Sequence, residues 1–176
     1  MDENSRHCTL FEGFRRLAAG PLQQVSETAR RAIEAGSREP VLIYDDATGA
    51  VVDIDMRPGA VPAAETRERG RPKLGVVARE VTLLPRHWDW LRQQPGGASV
   101  ALRKLVEEAR RANGAQDRAR ARRDAAYRFM SSMAGNLPGF EEASRALFAG
   151  DQARFEQMIS DWPEDVRTHV TSMAFS

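Results

Sequence analysis

Two periods of apolar residues run through the first third of this chain. "TLFEGFRRLAAG" holds short apolar stretches on either side of Gly13, and "PVLIYDDATGAVVDIDM" holds two more around Asp46-Ala47-Thr48-Gly49. Short apolar runs separated by turn residues predict paired strands. Between them Leu22, Val25, Ala29 and Ile33 recur at helical spacing, after a Gly20-Pro21 boundary and before Gly36, which predicts one amphipathic helix. The expected order is strand, strand, helix, strand, strand.

The pattern then breaks. Residues 57–75, "RPGAVPAAETRERGRPKLG", combine glycine, proline and charge with no apolar period, as a flexible linker does. "VVAREVTLL" predicts a strand, and a short helix follows from Pro85 until "PGG" at 95–97 stops it. Ser99 is a good N-cap for a second helix with Leu102, Leu105, Val106 and Ala109 on one stripe, ended or kinked by Asn113-Gly114. Downstream, Ala119, Ala126, Phe129, Met130 and Met133 form another stripe, with Arg118, Arg122 and Arg123 toward the other side. Short helices then run to the end, punctuated by Gly150-Asp151 and Trp162-Pro163. The fold class this implies is α+β: a small N-terminal ββαββ domain over 1–57, a basic linker over 58–75, a strand-helix-helix segment over 76–113 and a helical region over 114–176.

Charge sharpens the middle of the picture. The net charge is +1, but Glu65 to Arg128 holds 16 Lys or Arg against 8 Asp or Glu, while both flanks are net acidic. A positive segment of this kind attracts polyanions if its charges share one face. No apolar run approaches the ~20 residues that span a bilayer. The start of the chain lacks the apolar core of a secretory signal, and the single cysteine, Cys8, cannot form an internal disulfide. These features lead us to expect a cytoplasmic protein with no membrane association.

Candidate chemistry is sparse. His7, His87 and His169 are far apart in sequence and suggest no metal site. Asp45, Asp46, Asp53 and Asp55 could gather around a hard cation. Their positions better suit a half-buried strand and an Asp-rich turn, where the carboxylate bonds the local backbone. No phosphate loop, nucleophile elbow or catalytic triad is present, so neither an enzyme nor a cofactor is expected. Trp88 and Leu91 share a helical stripe that leaves Trp90 displaced from it. Trp90 is then either an anchor for a protein partner or a packing residue against the N-terminal domain.

Three resemblances add to this reading. From Arg71 to Ala112, "REVTLLPRHWDWL" and "GGASVALRKLVEEAR" are similar to ribbon-helix-helix DNA-binding proteins. That likeness implies a homodimer whose paired strands enter the major groove, with Ser99 and its neighbours at a helix N-terminus holding a backbone phosphate. The first helix is shorter than that family's. The strand also offers few side chains suited to reading base edges, so phosphate contacts should dominate. "RGRPK" resembles the core of an AT-hook, an extended arm drawn into a narrow minor groove. Nearly the whole chain, through "GRPKLGVVAREVTLLPRHWDWL", "AYRFMSSMAGNLPGFEEA" and "ALFAGD", resembles a bacterial family known only as a domain of unknown function.

The leading expectation is a dimeric, transcription-regulating protein that binds double-stranded DNA through Arg69, Arg71, Lys73, Arg79, Arg86 and Ser99. The alternative is a non-enzymatic interaction module, an adaptor or antitoxin-like protein, that binds an acidic protein partner with Trp90 as its anchor.

Overall fold

The computed structural model describes residues 6–53, 77 and 79–176. Its backbone forms two compact units, one of residues 1–58 with 116–176 and one of 59–115. The described elements are mixed α+β, with four antiparallel strands and six helices.

In the first unit, β1 (His7–Glu12) and β2 (Arg15–Pro21) form a hairpin, α1 spans Leu22–Glu34, and β3 (Val41–Asp45) and β4 (Val51–Val52) form a second hairpin. The ββαββ order matches the apolar pattern. The sheet order is β2-β1-β3-β4, so β1 and β3 lie inside. This explains why "CTLF" is buried without a break: neighbouring residues on a strand face opposite sides, and here both sides are covered. Cys8 and Leu10 pack with Val25, Ala29 and Ile43, the α1 side. Phe11 and Tyr44 pack with Phe129, Met130, Leu147, Phe155 and Val170 on the other side. A register irregularity between β1 and β2 lies at Leu10/Phe11, where Leu10 pairs with Ala18 and Phe11 with Arg16. The helical stripe predicted for α1 holds for Val25 and Ala29, while Ile33, in the last turn, is 43% exposed.

The second layer comes from residues 116–134 of α3 (Gly97–Ala134) and from α4 (Phe140–Ala149), α5 (Gln152–Met158) and α6 (Glu164–Phe175). Gly150 ends α4 at φ +72°, and Asp151 caps α5 by accepting a hydrogen bond from the Arg154 amide at 3.0 Å. Trp162 is buried, and its Nε1 donates to the Pro138 carbonyl at 2.7 Å. Burying aromatic side chains such as Phe11, Phe129 and Phe155 contributes roughly 1.5–3 kcal/mol each, which makes this interface the main apolar store of the unit.

In the second unit, α2 spans Pro85–Arg92 with proline in its first turn, where a missing N–H costs nothing. Within one chain, residues 77 and 79–84 pair with no described strand. Two expectations need correction here. The second helix begins at Gly97, so Ser99 lies inside its first turn and is not its N-cap. Asn113-Gly114 neither ends nor splits α3: one glycine costs about 1 kcal/mol in a helix, which the surrounding Ala, Arg and Gln residues tolerate. Asn113 Nδ2 instead bonds the Ala109 carbonyl at 2.9 Å. Arg69, Arg71, Lys73, Asp55 and the expected linker at 58–75 lie outside the described residues, apart from which no helix is long and apolar enough to cross a membrane.

Candidate functional site

The most developed polar site lies in the first unit, at the end of β3. Strand pairing sets it up: β1 runs antiparallel to β3 with Cys8 opposite Asp45. The next residues outward, His7 and Asp46, therefore become neighbours, and the Asp46 amide donates to the His7 carbonyl at 3.1 Å. Asp45 serves the turn as expected, since its Oδ1 accepts the Ala47 and Thr48 amides, both at 2.9 Å. Its Oδ2 lies 3.0 Å from Arg6 Nε.

Asp46 does something else. Its Oδ2 accepts a hydrogen bond from His7 Nδ1 at 2.6 Å. Its Oδ1 faces His169 of α6, whose Nε2 stands 3.6 Å away, beyond hydrogen-bond distance. Both Asp46 Oδ1 and His169 Nε2 are buried with no hydrogen-bond partner among the described residues. The His169 ring is clamped edge-on between Phe129, 4.7 Å between ring centroids, and Phe11, at 5.5 Å. Burial in this aromatic setting pushes its pKa below 6.5, and Arg16 and His7 add to that shift while Asp46 opposes it. The imidazole is thus neutral at pH 7, with one N–H and one lone pair.

These groups line a cavity of about 380 Å³ together with Arg16 of β2, Arg122 of α3 and Ser172 of α6. Arg122 Nη1 also donates to the Ser176 carbonyl. Across the sheet edge a wider opening of about 800 Å³ is bordered by Glu12, Arg15, Glu39, Ser132, Met133 and Asp165. There the Glu12 carboxyl is held below its usual range by hydrogen bonds from Ser37 and then Arg15. No group of three or more His, Cys, Asp or Glu among the described residues is arranged to hold a metal ion.

The sequence left these histidines unassigned because they are 162 positions apart. The β1–β3 pairing could have brought His7 to Asp46, but nothing in the pattern of α6 marks His169 as a third member.

Of the residues singled out for DNA, Arg79 and Arg86 are exposed and make no ion pair with a described residue. Ser99 is exposed on α3, and its carbonyl accepts from Arg103 Nε at 3.1 Å. Trp90 is half exposed, whereas Leu91 beside it is buried. On α3 the Leu102, Leu105, Val106 and Ala109 stripe is open: Leu105 is 44% and Val106 64% exposed. By helical spacing Arg103 and Arg110 flank this stripe and Arg111 lies opposite it, the last two bonded to Glu107 at 3.3 and 3.2 Å.

The fold therefore defines a mixed α+β protein with a sheet covered on both faces and a separate helical unit. The family model described as "Uncharacterized protein conserved in bacteria (DUF2239)" matches residues 7–174, and the chain belongs to that family. No curated protein and no solved structure matches it.

Proposed function

We propose that the protein binds double-stranded DNA as a homodimer through residues 59–115 and regulates transcription, acting in the cytoplasm. The observation that carries this reading is the open apolar stripe on α3 at Leu105 and Val106, flanked at helical spacing by Arg103 and Arg110. A helix with one apolar face normally buries it, and a second copy would cover this one. Dimer formation would also offer residues 79–84 a strand partner, which no described strand of the same chain gives them. Arg79 and Arg86, with Arg69, Arg71 and Lys73 in the preceding arm, would then meet phosphates, so that affinity falls steeply with salt and discriminates weakly between sequences. Fluorescence anisotropy with a labelled duplex across a salt series tests this directly. Binding at low salt that weakens about tenfold or more in Arg79→Ala/Arg86→Ala supports it; no binding at low salt, or unchanged affinity in that variant, overturns it. Sedimentation of Leu105→Asp should report loss of the dimer.

A second reading rests on Trp90. An exposed tryptophan on a short helix suits a protein interface, and an acidic partner would complement the surrounding charge. Co-purification of a partner that is lost in Trp90→Ala, with no DNA binding, would select it.

A further inference from the structure

The wider opening of the first unit, about 800 Å³, is independent of the DNA reading and of the unit that carries it. Its walls are pinned in place. The Gly13 amide donates to the Pro40 carbonyl at 2.8 Å, which ties the β1–β2 turn to the segment entering β3. Asp165, in the first turn of α6, accepts the Arg16 amide at 2.8 Å. Glu12 accepts hydrogen bonds from Ser37 and Arg15, both at 2.6 Å. Glu12, Arg15 and one oxygen of Asp165 are therefore spent on the walls themselves.

Between the walls the lining is apolar. Phe14, 44% exposed at the β1–β2 turn, borders the opening with Leu42 of β3 and Met133 of α3. Two carboxylates of the rim are left over: Glu39 and Glu164 are exposed and make no ion pair or side-chain hydrogen bond with a described residue. Glu39 lies along Gly13, where an added Cβ would stand 3.4 Å from its side chain. Arg15, the one cation of the lining, is already paired with Glu12, so the rim stays negative.

An apolar floor with an unneutralised acidic rim complements groups that are apolar along the stem and cationic at the head. Arginine and lysine are built in that way, and a guanidinium also stacks favourably on an aromatic face such as that of Phe14. A free amine would leave most of this volume unfilled, since the opening falls toward the large end of ligand sites. Several consecutive residues fill it. We propose that this groove docks an extended basic segment of a partner protein. Its apolar side chains lie on Phe14, Leu42 and Met133, and its arginines or lysines meet Glu39 and Glu164.

The test uses the full chain and a fluorescein-labelled peptide that alternates arginine with leucine. Two counterpart peptides carry citrulline for arginine or serine for leucine, and agmatine is added separately as a competing free cation. Saturable binding of the first peptide by anisotropy, at least about tenfold tighter than that of either counterpart or of agmatine, is the expected result. The Met133 methyl signal should shift on binding. Glu39→Gln/Glu164→Gln, at two exposed positions, should weaken binding roughly tenfold at low salt. Absence of binding, unchanged affinity in that variant, or an unmoved Met133 methyl signal would overturn the proposal. Equal binding of the serine peptide would reduce the effect to unspecific charge attraction, and agmatine competing as tightly as the peptide binds would make the groove a small-amine site. Either result overturns it as well.

Discussion

Gly49 lies directly against the Ala125 carbonyl: a Cβ on Gly49 would stand 1.9 Å from that oxygen. The β3–β4 turn is thereby seated on α3, and Arg128 Nη1 fastens it by donating to the Thr48 carbonyl at 2.9 Å. Because Asp46 belongs to this turn, the same contact fixes the carboxylate in its cavity. Gly49 also has φ +68°, a conformation that L side chains rarely adopt. Gly49→Ala should therefore destabilise the fold by about 3 kcal/mol or more, combining backbone strain with a clash that only movement of the turn can relieve. Urea denaturation with matched m-values checks this.

Phe11 is the residue through which the sheet meets the helical layer. Its ring lies 5.4 Å from that of Phe129 and 6.1 Å from that of Tyr44, centroid to centroid. Phe11→Ala should cost about 3–5 kcal/mol. Combined with Phe129→Ala it should cost less than the sum of the two single changes, because both open the same cavity. A double-mutant cycle measures that difference.

Stability should depend on pH through His169. Its pKa in the fold is lowered from 6.5, first by burial, with Asp46 working against the shift and Arg16 and His7 with it. Between that lowered value and 6.5 the unfolded chain binds more protons than the folded one, so stability is full above pH 6.5 and falls as pH drops below it. Urea midpoints measured at about pH 8 and pH 5.5 should fall further in the wild type than in His169→Asn, which has no proton to take up there.

Cys8 should be inert in the native state. It is fully buried on the α1 side of β1, and burial, followed by the charges of Asp45 and Asp46, raises its thiol to about 11 against a smaller opposing effect of Arg6. Reaction with a thiol-specific disulfide reagent at about pH 8 should proceed only through opening of the fold, and should be faster by orders of magnitude in denaturant. Rapid native modification would contradict the burial described here.

How much of this was legible beforehand depends on the range of the interactions. The ββαββ order, the turn at Asp46–Gly49 and the local role of Asp45 follow from neighbours in sequence, and each is visible in apolar period and turn chemistry. The short helix from Pro85 and the break at Pro95–Gly97 are local in the same sense. Residues 79–84 pair with no described strand of the same chain, because pairing needs a partner that the local pattern cannot supply. Asn113-Gly114 was misread, being a weak breaker inside a long run of good helix formers.

The sequence by itself determined the N-terminal ββαββ order, the helix from Pro85, the excess of positive charge between acidic flanks, and the family. Only the tertiary structure decided that "CTLF" is buried on both faces, that residues 116–176 complete the layer over the N-terminal sheet, and that His7, Asp46 and His169 surround one cavity. The physical reason is that strand and helix formation is governed by bonds and side chains a few positions apart. A site assembled from β1, β3 and α6 exists only once burial of Phe11, Tyr44 and Phe129 has brought those elements together.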